Sequence, residues 1–334
     1  MLKTIRLSEL TLPETPEAWL QTLSSACVIE IPGRDGTSWR VASVLVHGNE
    51  PSGFIAAHQF LKRNIVPKTN LALVIGSVRA AKHKPVFTHR QIPGEFDLNR
   101  RFGHEKDCHD RVTETARDIS HYITSLSPQY VIDLHNTSGS GPAFAVSISD
   151  TSQVKKLASL FTPKMVITHL VVGSLMEEDF ACPTVTIECG GAGQQDSHNL
   201  AFEGLCRFAQ FDSLDALDQN RIQCFYHPTR VEIHQGISLD YGTEAAHEVD
   251  ITLIDNIEAL NQHTVKAGTL IGWLERELED CLLVRNEQGE DKVNDFFTSD
   301  NGKLLAKQDL QIFMATHRAD IAMSDCLFYA VEAG

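Results

Sequence analysis

The segment Val41-Ala42-Ser43-Val44-Leu45-Val46-His47-Gly48-Asn49-Glu50 decides how this chain is read. Its apolar run has the composition of a buried strand, and it ends on His-Gly-Asn-Glu. Two later segments repeat the pattern: Tyr130-Val131-Ile132-Asp133-Leu134-His135 and Thr184-Val185-Thr186-Ile187-Glu188. Ligands of open α/β sheets gather beyond the carboxyl ends of the strands. Two histidines and two glutamates, all at strand exits, therefore point to one pocket. Two imidazoles and one carboxylate, with a position left open for water, form a zinc set of the catalytic kind.

Outward from these segments, apolar runs alternate with helical patterns between Val41 and Gly190. Strands are expected over 41–46, 71–78, 130–134, 143–148, 166–172 and 184–187, with helices over 52–63, 108–126, 153–160 and 197–209. A short strand and a helix are expected within the first 23 residues. Such alternation predicts an α/β fold with a mostly parallel sheet flanked by helices. After Cys224 the texture becomes period-two alternation, as in Val231-Glu232-Ile233-His234, punctuated by Gln235-Gly236, Tyr241-Gly242 and Asn301-Gly302. That is antiparallel β patterning. The reading divides the chain into 1–224 and a smaller β-rich domain, 225–334.

The chain has 334 residues with 29 basic and 44 acidic side chains, a net charge of −15. This argues against nucleic acid and anionic membranes as partners, and it requires any site for an acidic ligand to be locally basic. No apolar run reaches membrane-spanning length, and the N-terminus lacks a signal-peptide pattern. Eight cysteines without a C-x-x-C pair read as reduced, mostly structural thiols. The expectation is a cytoplasmic protein, with self-association left open.

His47 and Glu50 can bind one ion only if the backbone turns between them, and Gly48 supplies that freedom while Pro51-Ser52 starts a helix. The bland alternative is a helix-capping loop with a solvated glutamate. His135 has Asp133 on the same strand face, where a carboxylate can orient an imidazole; the alternative is a hydrogen-bonded core histidine. Glu188 at the end of a buried strand is costly unless paired or functional. It is either a general base or a cap or salt-bridge partner. Asn99 and Arg100, in Asp97-Leu98-Asn99-Arg100-Arg101-Phe102, can grip a substrate carboxylate, or they belong to a surface loop. Arg90 can stabilise an oxyanion. His104 and His109 imitate H-E-x-x-H but would stand roughly 140° apart on a helix, so they do not share a metal. His83, His89 and His121 have no matching partners. Asn136-Thr137-Ser138 matches a glycosylation pattern and is discounted for want of a secretory signal.

Taken together, "HGNE" at 47–50, "DLNRRF" at 97–102, "DLHNTSG" at 133–139 and "TIECG" at 186–190 resemble the succinylglutamate desuccinylase/aspartoacylase family. The resemblance implies a zinc-carboxypeptidase-like catalytic domain. "VKAGTLIGWL" at 265–274 looks like the barrel-sandwich segment of the family's second domain. It implies one zinc ion on His47, Glu50 and His135, with Glu188 as base, Arg90 polarising the carbonyl and Asn99 and Arg100 holding a substrate carboxylate. Aspartoacylases carry a further carboxylate-binding arginine upstream of the base. Here that stretch is Met176-Glu177-Glu178-Asp179, which disfavours dicarboxylic substrates. The implied activity is deacylation of an N-acyl amino acid by an activated water. A carboxypeptidase-type peptidase on short peptides is the alternative. A catalytically silent carboxylate-binding protein is the non-enzymatic one.

Overall fold

The computed structural model of the chain describes residues 2–103, 110–218, 221–324 and 326–333. Two compact units emerge: residues 1–136, 143–165 and 170–224 form the first, and 137–142, 166–169 and 225–334 the second. The two short segments that cluster with the second unit have no counterpart in a division drawn on sequence texture.

A mixed sheet, most of it within the first unit, has strands β1 (Lys3–Arg6), β2 (Cys27–Ile31), β3 (Asp35–Val44), β4 (Thr69–Ile75), β5 (Tyr130–Thr137), β6 (Phe144–Ser147), β7 (Lys164–Ile167), β8 (Thr184–Gly191) and β9 (Gln223–Tyr226). Their order is β1-β2-β4-β3-β5-β8-β6-β7-β9. The central strand β3 runs parallel to both β4 and β5, whereas β2 is antiparallel to β4 and β6 to β8. Between the strands lie α1 (Pro16–Thr22), α2 (Ser52–Lys62), α3 (Val78–Lys82), α4 (Arg111–Leu126), α5 (Ser152–Ala158) and α6 (Gln195–Gln210).

Local chemistry explains these boundaries. Asp110 caps α4 by accepting the N–H groups of Val112 and Thr113, each at 3.0 Å. The buried stripe Ala116, Ile119 and Ile123 packs in one cluster with Val41, Val74 and Val131 from the sheet. At the other end of α4, Ser127 closes the helix in the left-handed region at φ 46°.

Two strand expectations are corrected. The run 41–46 leaves the sheet at Val44, because Leu45 turns into the left-handed region at φ 57°. The run 166–172 is a strand only to Ile167. Beyond it the N–H groups of Val172, Gly173 and Ser174 are taken by the Glu177 carboxylate at 3.0–3.2 Å, which folds the segment into a loop. Strand β2 has no counterpart among the expected strands.

The second unit holds two five-stranded sheets drawn from β10 (Thr229–Ile233), β11 (Leu239–Gly242), β12 (Ile251–Ile254), β13 (Thr264–Val265), β14 (Leu270–Leu274), β15 (Leu282–Arg285), β16 (Phe297–Asp300), β17 (Lys303–Ala306), β18 (Leu310–Phe313) and β19 (Phe328–Glu332). Most pairs are antiparallel, but β11 and β12 are parallel. Val231, Ile251, Ile271, Leu304, Ile312 and Phe328 share one buried cluster between the sheets. No helix among the described residues is long and apolar enough to cross a membrane.

Candidate metal centre

The sheet register brings the first two ligand segments together. Val44 of β3 stands opposite Leu134 of β5 in a parallel pair, so both strands deliver their next residues to the same edge. His135 follows Leu134 directly. His47 is reached through the Leu45 turn and a tight return in which the Glu50 N–H donates to the His47 carbonyl at 3.2 Å.

The role expected of Gly48 needs correction. It is not among the residues with positive φ. Its N–H donates to the Arg90 carbonyl at 2.9 Å. A Cβ there would lie 2.5 Å from the Ala81 nitrogen and 2.6 Å from the His89 carbonyl oxygen. Glycine is required by close backbone approach, and Leu45 carries the unusual dihedral. Gly48→Ala should therefore destabilise the fold by about 3 kcal/mol, the upper part of the range for overpacking. Urea unfolding checks this; an unchanged midpoint would show that the 78–90 segment can move aside.

Three side chains meet at the sheet edge. His47 Nδ1 lies 2.7 Å from Glu50 Oε1, and His135 Nδ1 lies 2.8 Å from Glu50 Oε2. One donor atom from each residue falls within a 4.8 Å cluster, and among the described residues this is the only such group. All three side chains are buried. The far nitrogens face carboxylates as well. His135 Nε2 bonds Asp133 Oδ2 at 2.6 Å, and His47 Nε2 sits 3.2 Å from Asp97 Oδ1, close but not aligned as a hydrogen bond. Both imidazoles thus aim Nδ1 at the common centre with a carboxylate behind Nε2, the arrangement that orients metal-binding histidines.

The electrostatics describe a centre built for positive charge. Burial pushes Glu50 up, but the imidazoles of His47 and His135 overcome it and hold the carboxyl well below the usual range. Burial opposes protonation of His135, yet Asp133 and Glu50 outweigh it and raise its pKa well above the ordinary imidazole value. In the metal-free chain these carboxylates favour the protonated form of His135. Two neutral imidazoles and a carboxylate are the donor set of a catalytic zinc site, so the residues fit a divalent cation that takes the proton's place. Cation uptake at pH 7 should release about one proton per site, and affinity should rise with pH. Calorimetry in buffers of different ionisation enthalpy reads this directly, and uptake without proton release would contradict the assignment.

Glu188 comes from β8, the neighbour of β5. It is buried, and its Oε2 has no hydrogen-bond partner. Burial, with Glu50 adding to it against the opposing charges of His135, His47 and Arg90, raises its pKa to about 7. A carboxyl with an unused buried oxygen and a pKa near neutrality has the properties of a proton acceptor.

Arg90 is also brought in: its Nε donates to Asp97 Oδ2 at 2.8 Å, and Nη1 lies 3.7 Å from Glu50 Oε1. Asp97 is the hinge of this side. Burial would raise its pKa, but His47, Arg90 and Arg100 hold it well below the carboxylate range. It also caps a single 3-10 turn, Leu98–Arg100, by accepting the Asn99 N–H at 2.8 Å. Asn99 Oδ1 accepts the Leu175 N–H at 3.0 Å, which fixes the amide so that its nitrogen is the end left to act as a donor. Arg100 Nη1 donates to the Asn99 carbonyl at 3.0 Å.

Other sequence signals resolve differently. The acidic stretch 176–179 partly serves its own loop: besides Glu177, Asp179 accepts the Ala181 N–H at 2.9 Å. His104 and His109 lie outside the described residues. His83 and His89 pack ring against ring at 4.4 Å. Asn136, noticed only for a glycosylation pattern, is buried, and its backbone N–H donates to Glu50 Oε2 at 3.2 Å. Asp97 carried a signal, since it stands two residues before Asn99 much as Asp133 stands two before His135. Nothing in the sequence marked His198.

Residues 43–206 match the succinylglutamate desuccinylase/aspartoacylase catalytic domain. No curated protein matches the chain by sequence. Among solved structures, the product-bound ectoine utilization protein EutE (DoeB) from Ruegeria pomeroyi is similar at TM-score 0.61 and 15% identity, covering 92% of this chain and 88% of that one. A succinylglutamate desuccinylase/aspartoacylase from Rhodobacter sphaeroides gives TM-score 0.58 at 13% identity, with 92% and 89% covered. Murine aminoacylase 3 gives 0.55 at 16%, with 90% and 96% covered. At these identities the likeness is one of fold.

Proposed function

Given that the chain belongs, through residues 43–206, to the succinylglutamate desuccinylase/aspartoacylase family, we propose that it is a zinc-dependent amide hydrolase that deacylates an N-acyl amino acid. One observation carries the reading: two imidazole Nδ1 atoms and the Glu50 carboxylate converge on one point, with the partnerless oxygen of Glu188 in the same buried cluster of charges. His47, Glu50 and His135 would hold the ion. When bound, zinc supplies Lewis acidity, which favours an ionised water and polarises a carbonyl.

The chain's own groups do the rest. Glu188 takes a proton from the attacking water and returns it to the leaving amine nitrogen, a transfer suited to a pKa near neutrality. Arg90, held by Asp97, offers N–H donors to the carbonyl oxygen as it gains charge. Asn99 and Arg100 bind the substrate carboxylate, the amide nitrogen and the guanidinium both being donors. The acidic 176–179 stretch favours a substrate with one carboxylate over a dicarboxylic one. Zinc-loaded protein should turn over N-acyl derivatives of neutral amino acids faster than N-acyl aspartate, N-succinylglutamate or dipeptides. Stoichiometric zinc with no turnover across that panel would overturn the proposal.

A further inference from the structure

Asn136 ties together the three segments that form the centre, the loop after β3 and the last residues of β5 and β8. Its backbone N–H reaches Glu50 Oε2 at 3.2 Å, and its side-chain Oδ1 accepts the N–H of Ser52, the first residue of α2, at 3.0 Å. An acceptor at that position must be the oxygen, so the orientation of the amide is settled. Its Nδ2 then donates to the Gly190 carbonyl and to Ser52 Oγ, both at 2.8 Å. Gly190 is two residues past Glu188, and Ser52 two past Glu50. One buried side chain therefore sets the spacing between the segment that carries Glu50 and the segment that carries Glu188.

The remaining contact leads out of the site. Ser52 Oγ lies 2.7 Å from His198 Nδ1 on α6. Oγ already receives the Asn136 Nδ2 proton, and with His198 Nδ1 as acceptor its own hydroxyl proton is used too, an arrangement that requires a neutral ring. Burial keeps His198 below the usual imidazole range, consistent with that role.

We propose that Asn136, Ser52 and His198 form a brace that holds Glu50 and Glu188 at working separation, and that His198 is a positioning residue for the hydrolysis. The inference rests on the hydrolase reading and extends it to a residue that touches neither ion nor substrate. A network with every donor and acceptor matched confines its members more tightly than any single bond. Loss of an outer partner of a metal site typically costs 10–100-fold in affinity or activity.

The test compares wild type, His198→Ala and His198→Asn as zinc-loaded full-length protein. Asn is chosen because its Oδ1 stands near the place of Nδ1 and can accept from Ser52. Zinc affinity is measured by competition with a chromophoric chelator, and kcat and KM with the N-acetyl amino acid that wild type hydrolyses best. Thermal unfolding confirms that each variant is folded. His198→Ala should lose about tenfold in zinc affinity and about tenfold in kcat, with KM within about twofold, and His198→Asn should recover most of both. Ser52→Ala should match His198→Ala and serves in its place if that variant fails to fold. An alanine variant equal to wild type in affinity and kcat overturns the brace, as does an asparagine variant no better than alanine. Wild type that binds zinc but turns over nothing defeats the hydrolase reading, while the affinity arm still decides the brace.

Discussion

Replacing Glu188 by Gln should lower kcat by about a thousandfold, within the range that general acid–base catalysis contributes, while zinc content should stay at the wild-type level. The amide keeps the shape of the side chain but cannot take up a proton from water, and His47, Glu50 and His135, the residues proposed to hold the ion, are untouched. The substitution has a second signature, independent of substrate. In the metal-free chain burial raises the Glu188 pKa from 4.5 to about 7, so the folded state binds this proton more tightly than the unfolded one. That contribution is fully present below pH 4.5 and is lost as pH rises through about 7, where the buried carboxyl must ionise. Metal-free Glu188→Gln carries no such ionisation. Its stability relative to wild type should therefore increase between those pH values and level off above them, as read by denaturant unfolding across a pH series. Full turnover in the variant would remove Glu188 from the chemistry. A flat stability difference would mean that its carboxyl is better solvated than its buried position implies.

Removing His135 should have the largest effect on the ion itself. His135→Ala deletes one of three donors, and its zinc affinity should fall by well over the ~100-fold that loss of an outer partner costs. Activity should be lost with it. The same change leaves Asp133 without the ring it bonds at 2.6 Å and takes from Glu50 one of its two imidazoles, the one at 2.8 Å. Breaking a buried ion pair from one side costs roughly 3–5 kcal/mol. The metal-free variant should be less stable than metal-free wild type by an amount of that order. The direction of its pH dependence follows from the raised His135 pKa. The stabilisation is complete below the ordinary imidazole value of 6.5 and fades as pH climbs through the higher folded-state value. Metal titration and urea unfolding at pH 6 and pH 9 test both parts. A variant that retains zinc at wild-type affinity would exclude His135 from the centre.

Much of the catalytic unit is legible in the chain because its signals are local. A β-branched run closed by a polar turn reads as a buried strand wherever it stands, and each of the three exits advertises its own histidine or glutamate. Helix α4 is equally plain from Ala116, Ile119 and Ile123 at helical spacing, although it starts at Arg111, behind the Asp110 cap, and not at the expected 108. Other boundaries escape local reading. Strand β2, Cys27-Val28-Ile29-Glu30-Ile31 before Pro32-Gly33, carries a readable run of its own, but its place in the sheet rests on its pairing with β1 and β4. The segment after Ile167 has the composition of a strand, but its N–H groups are claimed by Glu177.

The identities of the two imidazoles and two carboxylates, and the strands that deliver them, were determined by the sequence itself, because residue type and hydrophobic period act over a few neighbours. Their common centre was decided by tertiary structure. Parallel register places Val44 opposite Leu134, and only then does Nδ1 of each imidazole face Glu50 while Asp97 and Asp133 stand behind. The same holds for Gly48, needed for a neighbouring backbone rather than for its own dihedral, and for His198, whose contact with Ser52 spans 146 residues. A buried polar atom takes whichever partner the folded chain sets beside it, and that adjacency is a property of strand order and register rather than of any stretch of sequence.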